Sequence, residues 1–334
     1  IQMVYDPEKL AQPPQLSFHV KGKKCYDPRD GSTAYTDNSA LIIRDYLTST
    51  TYGLKATSTE INDTTNAGGF ASAANTSDQA VSLESGSGSG KRYLTNGFTT
   101  MIAEPEGVLE GLLAACAGKL TYTNGQFNIF VGASQTPSMT ITDDVLLDMP
   151  QVSTRPSNGD MFNAVKSVFV DKENDYTGTD GPVFTDTSAL AEDTPSGESS
   201  ANYFKMLEVQ MPYVTTRQQA DRLSKIALRH SRKSTTIQIV TTLEFMKLQP
   251  CDWVYVTNER LSYTNKVFEV VATNMEIVED GETPTMATAL SLKEIDSAVF
   301  NHAANEYITE IAEGSTVPAG DMTVTAPSSL TLSQ

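Results

Sequence analysis

The hydrophobic pattern of this chain is clearest in residues 215–256, where its period changes once. After Thr215, mostly apolar side chains recur every three or four residues, which is typical of a helix with one buried face. That face consists of Ala220, Leu223, Ile226, Ala227 and His230. The charged side chains between them are predicted to face solvent. They are Arg217, Asp221, Arg222, Lys225, Arg229 and Arg232.

Both ends of this predicted helix carry recognisable signals. Thr215 and Thr216 each precede a glutamine by three residues, which is the spacing of a capping box and marks the start of the helix. Arg229, Arg232 and Lys233 crowd its last turn, where positive charge suits the negative end of the helix dipole. We interpret this basic cluster as a helix-end feature first and as an anion site only second.

After the predicted helix, the period of the apolar residues falls to two. Residues 236–243 alternate between apolar and polar side chains, as a half-buried strand does. A turn at residues 249–252 follows, and a second alternating run begins at Trp253. A helix that leads into two such strands indicates packing of the helix against an antiparallel barrel or sheet.

The same reasoning predicts further elements. Helices are predicted after a cap at Asp37 or Asn38, at 70–75, at 105–117 and at 303–311. Strands are predicted at 16–22, 92–100, 137–150, 162–171, 205–213, 266–273 and 285–292. Asn124 and Gly125 lie between two alternating runs and predict a hairpin with a type I′ turn. Residues 171–201 lose periodicity and read as a solvated acidic loop, and 314–327 as a linker.

Composition narrows the classes of partner. A chain of 334 residues with 39% hydrophobic content is expected to form two domains. It contains no run of 18 apolar residues, which argues against a transmembrane helix. Its net charge of −17 argues against general affinity for nucleic acid. Cys25, Cys116 and Cys251 are odd in number and far apart, so buried free thiols in a reducing cytosol are expected.

No combination of residues in the sequence indicates catalysis. The histidines are His19, His230 and His302, and they lack the spacing of a metal site or of a catalytic triad. Asp45 reads as an exposed helix residue, and Asp143 and Asp144 would point to opposite faces of a strand. The acidic run at 171–181 lacks the EF-hand order of ligands. We expect a protein that is not an enzyme, with no catalytic, metal or cofactor-binding residues; a glycosidase carboxylate pair is the weaker alternative.

The helix, strand and turn of residues 215–259 resemble a known viral family. The stretch TTRQQADRLSKIALRHSRKSTTIQIVTTLEFMKLQPCDWVYVTNE is similar to the central-hub segment of the tail tip attachment protein J family of long-tailed bacteriophages. In that family the strand leads into a QPGD turn. Gln249, Pro250 and Asp252 match the turn, and Cys251 stands where the family usually has glycine. This difference bears on the turn's conformation, because glycine tolerates a positive φ and cysteine does not.

Four other segments resemble the family in the same order, so that the resemblance covers roughly residues 16–300. They are KGKKCYDPRDG, the segment TDNSALIIRDYLTSTTYGL, the strand that begins at Arg92, and the hairpin GKLTYTNGQFNIFVG. In the second of these, the matching residues are Asn38, Ala40, Asp45, Tyr46, Leu47, Tyr52 and Gly53. Ser39 takes the place of the family's proline.

The resemblance implies an α+β, mostly β fold with two tail-hub domains of barrel or sandwich type and helical decoration. The implied division is an exit strand of a preceding domain at 1–30, a first hub domain with helices at 31–152, a second hub domain at 153–300 and a linker to a following domain at 301–334. It also implies that the native polypeptide continues at both ends.

For function, the resemblance implies a central hub that closes the tail tube, supports fibres or receptor-binding parts and opens for DNA ejection. Such a hub is a homotrimer at the virion tail tip, made and assembled in the host cytoplasm. The implied partners are the distal tail protein ring, the tape-measure protein and tail fibres or other tip proteins, with the host outer surface met only indirectly. The alternative is a free-standing host-surface or glycan-binding adhesin, which gene context would distinguish.

The hub function also implies an expectation about where the charges of the chain lie. DNA must pass through a hub without specific binding, so acidic walls are favoured over basic ones. We expect the acidic segments 171–180 and 192–198 to face the axis or solvent. Arg229, Arg232 and Lys233 are expected to cap their helix or to meet acidic neighbours.

Overall fold

The computed structural model describes residues 20–302, except 84–87, 155–160 and 281–282. This part of the chain contains five α-helices, which are α1 (Ser39–Thr48), α2 (Phe70–Asp78), α3 (Pro105–Ala114), α4 (Thr187–Asp193) and α5 (Arg217–Arg232). Its first eight strands are β1 (Lys24–Tyr26), β2 (Thr33–Tyr35), β3 (Ala80–Ser82), β4 (Ser89–Lys91), β5 (Lys119–Thr123), β6 (Gln126–Phe130), β7 (Met139–Ile141) and β8 (Gln151–Ser153). The other eight are β9 (Ala164–Asp171), β10 (Thr177–Asp180), β11 (Phe184–Thr185), β12 (Met206–Met211), β13 (Thr236–Thr242), β14 (Trp253–Asn258), β15 (Tyr263–Asp280) and β16 (Thr283–Glu294).

Some predictions fall outside the described residues. They are residues 1–19 of the predicted exit strand, with most of the strand at 16–22, the helix at 303–311 and the linker at 314–327.

The fold is α+β and mostly β, as predicted. The largest sheet has six strands in the order β7-β14-β15-β16-β13-β8, antiparallel except for the β7–β14 pair. A second sheet is built around β9, which pairs with β10 and β11 along one edge and in parallel with β12 along the other. The remaining described strands form three two-stranded hairpins. None of the helices in these ranges is long and apolar enough to span a membrane.

The described residues form two large apolar cores, and only the first of them includes residues of α5. The first core joins α1, α2, α3 and the β5–β6 hairpin to β9, β12 and the first half of α5, through side chains such as Phe169, Met211 and Leu223. The second core lies on one face of the six-stranded sheet. A small third cluster connects Ile226 of α5 to Trp253 of that sheet. The helix therefore packs against elements from most of the described chain.

The burial of α5 corrects the predicted solvent-facing side. Ala220, Leu223 and Ile226 are buried as predicted, but so are Asp221 and Arg222, each 2% exposed. The amphipathic prediction was wrong here because α5 is enclosed on several sides, and its charged groups find partners inside. The Arg222 guanidinium donates to the carbonyl of Arg92 and lies over a buried tyrosine ring. Another buried cation of the same face, Lys225, lies 4.5 Å from the centroid of a phenylalanine ring.

The capping box was also wrong, although the start of the helix was right. Thr216 occupies the N-cap position without a side-chain hydrogen bond. The Gln219 amide instead joins α5 to the segment before α3 and to the end of α3, because it donates to the carbonyls of Leu94 and Ala115 and accepts from the Leu94 amide. The glutamine thus links separate elements rather than closing its own helix.

The segment at 92–100 is not the predicted strand. Its backbone groups bond to several different elements: Leu94 to Gln219, Thr95 to the carbonyl of Asp37, and Asn96 to the carbonyl of Tyr213. Since no single partner strand runs alongside, no ladder forms. The short run of apolar and polar residues carried no information about these separate partners.

Other local predictions were confirmed or shortened. Asn38 caps α1 through its side-chain oxygen, as expected. Asn124 and Gly125 have positive φ values of 53° and 77° and join β5 to β6, as the type I′ turn requires. The helix at 105–117 ends earlier, at Ala114, and the strand at 137–150 is reduced to β7. Residues 171–201 contain β10, β11 and α4 instead of one irregular loop.

Candidate assembly surfaces

A long two-stranded ribbon projects from the six-stranded sheet. Strand β15 pairs with β14 only up to Glu269, and β16 pairs with β13 only from Ala287 onwards. Between these points, the ends of β15 and β16 pair with each other alone among the described strands. The predicted strands 266–273 and 285–292 are therefore parts of one longer hairpin.

One face of the ribbon is apolar and exposed. Ile277 lies directly opposite Met286, so both side chains point to the same face, and Met275 follows on that face two residues away. They are 68%, 49% and 54% exposed, respectively. The 3-10 turn Leu243–Lys247 packs beside the ribbon and exposes two more apolar side chains. Exposed apolar side chains grouped on a projecting ribbon are typical of an interaction surface.

A second exposed apolar segment precedes α3. Phe98 is 89% exposed and Ile102 is 95% exposed, with Met101 between them. Its base is fixed, because the ring of Tyr213 lies against Gly97 and Gly111, where an added Cβ would come within 2.6 and 2.7 Å of ring atoms. The loop at 97–103 is therefore held firmly at one end while its apolar side chains face solvent.

The acidic and basic segments follow the expectation from sequence. The turn between β9 and β10 is exposed and carries Glu173 and Asp175. At the end of α5, Arg232 pairs with Glu192 and Asp193 at 2.9 Å, and Lys233 lies 3.6 Å from Asp296. The Arg229 guanidinium donates to the carbonyl of Asn301. The basic cluster is thus occupied by acidic neighbours and by carbonyl groups, as expected, and this confirms its helix-end interpretation.

The turn at 249–252 keeps a glycine-like backbone despite its cysteine. Cys251 has a φ of 75°, in the left-handed region that favours glycine. Its amide donates to the carbonyl of Val270 at 2.7 Å, and Asp252 accepts from the Gln249 amide at 2.9 Å. The bond to Val270 connects the turn to β15 at the bulge where the ribbon leaves the sheet, and the bond between Gln249 and Asp252 closes the turn itself. The turn therefore anchors the base of the ribbon.

The residues considered for chemistry have structural partners. Asp45 pairs with Lys23 at 3.0 Å and accepts from the hydroxyl of Tyr52. Asp143 and Asp144 lie in a 3-10 turn, not in a strand, so their predicted geometry was wrong; Asp143 accepts from Asn258. The three cysteines are buried and unpaired. Within the described ranges, no group of three or more His, Cys, Asp and Glu side chains is arranged to hold a metal ion. His19 lies outside those ranges.

Comparison with protein families gives this arrangement an identity. The family described as "Putative phage tail protein" matches residues 104–273, which is slightly more than half of the chain. The chain belongs to this family. By family it is a structural protein of phage tails, and the matched region includes α3, α5, the β5–β6 hairpin and the turn at 249–252. No curated protein matches the sequence.

Three solved structures are similar to this phage tail protein. The virion of a native gene transfer agent particle contains a chain with 14% identity and a TM-score of 0.46, matched over 66% of this chain and 45% of that one. The 43 kDa tail protein of prophage MuSo2 from Shewanella oneidensis has 18% identity and a TM-score of 0.38, over 59% and 56%. Prophage tail protein gp18 from Listeria monocytogenes EGD-e has 12% identity and a TM-score of 0.32, over 64% and 58%. This chain spans about half the length of each.

Proposed function

We propose that this phage tail protein is the central hub of a tail tip. In this role three copies surround the tail axis, below the distal tail protein ring and above fibres or other tip proteins. The hub closes the tail tube behind the tape-measure protein and opens when DNA is ejected into the host. Family membership and the ordered resemblance to the protein J hub segment support this role.

The observation that carries the proposal is the apolar face of the ribbon. Ile277 and Met286 lie opposite each other where β15 and β16 pair only with each other among the described strands, and they are 68% and 49% exposed. A protein that works alone would lose little by having polar residues there, and it would avoid aggregation through the unpaired strand edges. A hub in permanent contact with several neighbours covers such surfaces on assembly.

The distribution of charge supports passage of DNA without binding. The chain has a net charge of −17, and the exposed turn between β9 and β10 carries Glu173 and Asp175 beside one lysine, Lys172. Arg232 and Lys233, which could bind phosphate, are paired with carboxylates instead. In our proposal this acidic surface repels the DNA backbone and leaves the duplex hydrated.

We also propose that the hub domains divide at residues 152 and 153. Strands β9 to β12 precede α5 and form a sheet of their own, while the six-stranded sheet draws most of its strands from the residues after α5. Limited proteolysis at 155–160 tests this division. Each fragment should stay folded, and the two should remain associated through the shared first core; a cleaved chain that unfolds completely would argue against the division.

The hub role is tested by locating and counting the chain in purified virions. Antibody or gold labelling should mark the tail tip only, and quantitative mass spectrometry should give three copies per particle. Virions lacking the chain should have no attached fibres. The proposal would be contradicted by labelling along the tail tube, or by a copy number that corresponds to one ring of this chain in every layer of the tube.

The adhesin alternative makes a different prediction. A free-standing adhesin would bind host cells or surface glycans as a purified chain and would act outside the virion. A hub should show no saturable binding to cells, and its gene should lie beside tape-measure and tail-assembly genes. Saturable binding that a surface polysaccharide competes away would favour the adhesin.

A further inference from the structure

A partly open cavity of about 340 Å³ lies between the first core and the third cluster. Its walls come from the end of α3, the end of β6, strand β12 and one side of α5. Most of its lining is apolar: Met211 and Leu223 belong to the first core, and Ile226 and Trp253 to the third cluster. The volume is within the range of small-molecule pockets, about 300 to 1,000 Å³, and far above the space that one water needs.

The lining includes a buried hydrogen-bond donor that lacks an acceptor. His230 Nδ1 lies 3.5 Å from the ammonium of Lys293, which can only donate, so the proton of the neutral ring is on Nε2. That Nε2 is buried and has no hydrogen-bond partner among the described residues. A buried N–H group without an acceptor destabilises the fold, so an oxygen atom placed beside it in the cavity would be held there.

The charges around this donor favour a negative acceptor. Lys293 is half-buried, and among the described residues its hydrogen-bond partner is the neutral ring of His230. Glu269 lies directly opposite Lys293 in the pairing of β15 with β16, but its carboxylate forms an ion pair with Lys119. Two ammonium groups therefore share one carboxylate. The charge of Lys293 also polarises the imidazole and strengthens its Nε2–H group as a donor.

The apolar walls and the polar end together restrict the kind of molecule that fits. A purely apolar molecule would leave the Nε2–H group unpaired, and an amine would bring donors to a donor. A sugar would lose its hydration against the apolar walls without replacing it. A single carboxylate on an apolar body matches both the walls and the polar end.

We propose that this cavity binds a small monocarboxylic acid with an apolar body, such as a medium-chain fatty acid. Its carboxylate accepts from His230 Nε2 and balances the charge of Lys293, and its body packs against Ile226 and Trp253. The bound acid fills the space between the first core and the third cluster, and it stabilises the packing of α5 against the six-stranded sheet. This inference does not depend on the hub role.

Titration of the 334-residue chain with sodium decanoate tests the proposal. Trp253 is the single tryptophan of the chain and lines the cavity, so its fluorescence should change saturably with one decanoate per chain. Decylamine carries the same alkyl chain with a positive head group and should bind at least about tenfold more weakly. Equal affinities for the two probes would overturn the proposal. So would the absence of a saturable change in a chain that native mass spectrometry shows to be free of ligand.

A cavity-filling variant tests where the probe binds. Ala227 is half-buried on the cavity side of α5, so Ala227→Phe should occupy the cavity and weaken decanoate binding by at least about tenfold. Ala298→Phe, at an exposed alanine outside the lining, is the matched control and should bind decanoate like the unchanged chain. Unchanged binding in a folded Ala227→Phe variant would place the probe elsewhere and overturn the proposal.

A charge variant tests the polar end independently of the cavity's shape. Lys119→Gln leaves Glu269 free to balance Lys293, so decanoate should bind about tenfold more weakly while the uncharged probe decanol binds almost as before. Lys166→Gln is the control, because Lys166 pairs with Asp180 outside the cavity. If Lys119→Gln leaves the affinity for decanoate unchanged, or lowers both affinities equally, the polar end does not select a carboxylate and the proposal fails.

Discussion

Helix α5 and the ribbon of β15 and β16 invert the usual distribution of polarity. The helix carries many charged side chains, yet Asp221, Arg222 and Lys225 are almost completely buried. The ribbon carries Ile277 and Met286, yet these are largely exposed. The helix can be buried because carbonyl groups and aromatic rings inside the protein receive its charges. The ribbon has no such cover within the described chain, so its counterpart is expected on another protein.

This difference separates what stabilises the fold from what serves assembly. A buried, hydrogen-bonded cation is costly to remove because its partners stay behind unsatisfied. An exposed apolar side chain contributes little to the isolated chain and gains its burial only on association. Substitutions in the two regions should therefore affect different measurements.

The largest expected effects are in α5. Leu223→Ala should lower the free energy of unfolding by about 2 to 5 kcal/mol, because it leaves a cavity in the first core. Arg222→Ala should cost about 2 to 4 kcal/mol, since it removes a buried hydrogen bond to the Arg92 carbonyl and contact with the Tyr93 ring. Arg260→Ala, at an exposed arginine, is the control and should stay within about 0.5 kcal/mol. Urea unfolding measures all three.

The Arg222→Ala variant is the most direct test of the comparison between α5 and the ribbon. The sequence pattern placed Arg222 on the solvent side and predicted a change within about 1 kcal/mol. If Arg222→Ala and Arg260→Ala unfold at the same urea concentration, the charged face of α5 is solvated and the inversion disappears.

Much of the fold was predictable because local signals decided it. The N-cap at Asn38, the Asn124–Gly125 turn and the start of α5 depend on neighbouring residues, and all were found. The burial of Arg222 was not predictable, because its partner Arg92 lies 130 residues away. Periodicity reports which face is apolar, but a helix enclosed on several sides has no face reserved for solvent.

His230, in the last turn of α5, should make the stability of the protein depend on pH. Burial, together with the charges of Lys293 and Lys119, lowers the pKa of His230 from the ordinary 6.5 to about 4. The unfolded chain binds the proton more readily, so stability from the neutral ring is fully present above about pH 6.5 and is lost as pH falls towards 4. Between about pH 7.5 and 5 we expect a loss of about 2 kcal/mol in unfolding free energy from this group.

The control for this pH effect is His230→Gln, which keeps a polar group without a titrating ring. The other titrating groups are the same in both proteins, so the difference between the two pH profiles isolates the imidazole. Parallel profiles between about pH 7.5 and 5 would show that His230 is solvated in the folded protein, contrary to the burial of its Nε2 atom.

The turn that anchors the ribbon should show a smaller effect. Cys251 adopts a φ of 75°, which costs a residue with a Cβ about 1 to 2 kcal/mol relative to glycine. Cys251→Ala keeps this strain and loses a buried thiol, while Cys251→Gly loses the thiol and the strain. We expect the glycine variant to be more stable than the alanine variant by about 1 kcal/mol in urea unfolding. The opposite order would mean that the turn relaxes away from the left-handed region.

The assembly surface was the part least visible in the sequence. Strands 266–273 and 285–292 were predicted as ordinary sheet strands, because the alternation at Met275 and Ile277 is the same whether a core or solvent faces it. What distinguishes them is that β13 and β14 stop short, and the length of a neighbouring strand is not encoded in the alternation. The exposed loop at 97–103 was missed because residues 92–100 were predicted to be a strand.

The smallest effect on stability is expected at the ribbon, with the largest effect on assembly. Ile277→Asp should change the free energy of unfolding by less than about 0.5 kcal/mol, because the side chain is already exposed. Thr285→Asp adds the same charge at an exposed position on the other face of the ribbon and is the matched control. Only Ile277→Asp should reduce oligomer formation in sedimentation velocity and incorporation into virions, since its face carries the exposed Met275, Ile277 and Met286. If both variants assemble like the unchanged protein, the ribbon faces solvent in the tail; if Ile277→Asp unfolds easily, the residue belongs to a core and the contrast with α5 fails.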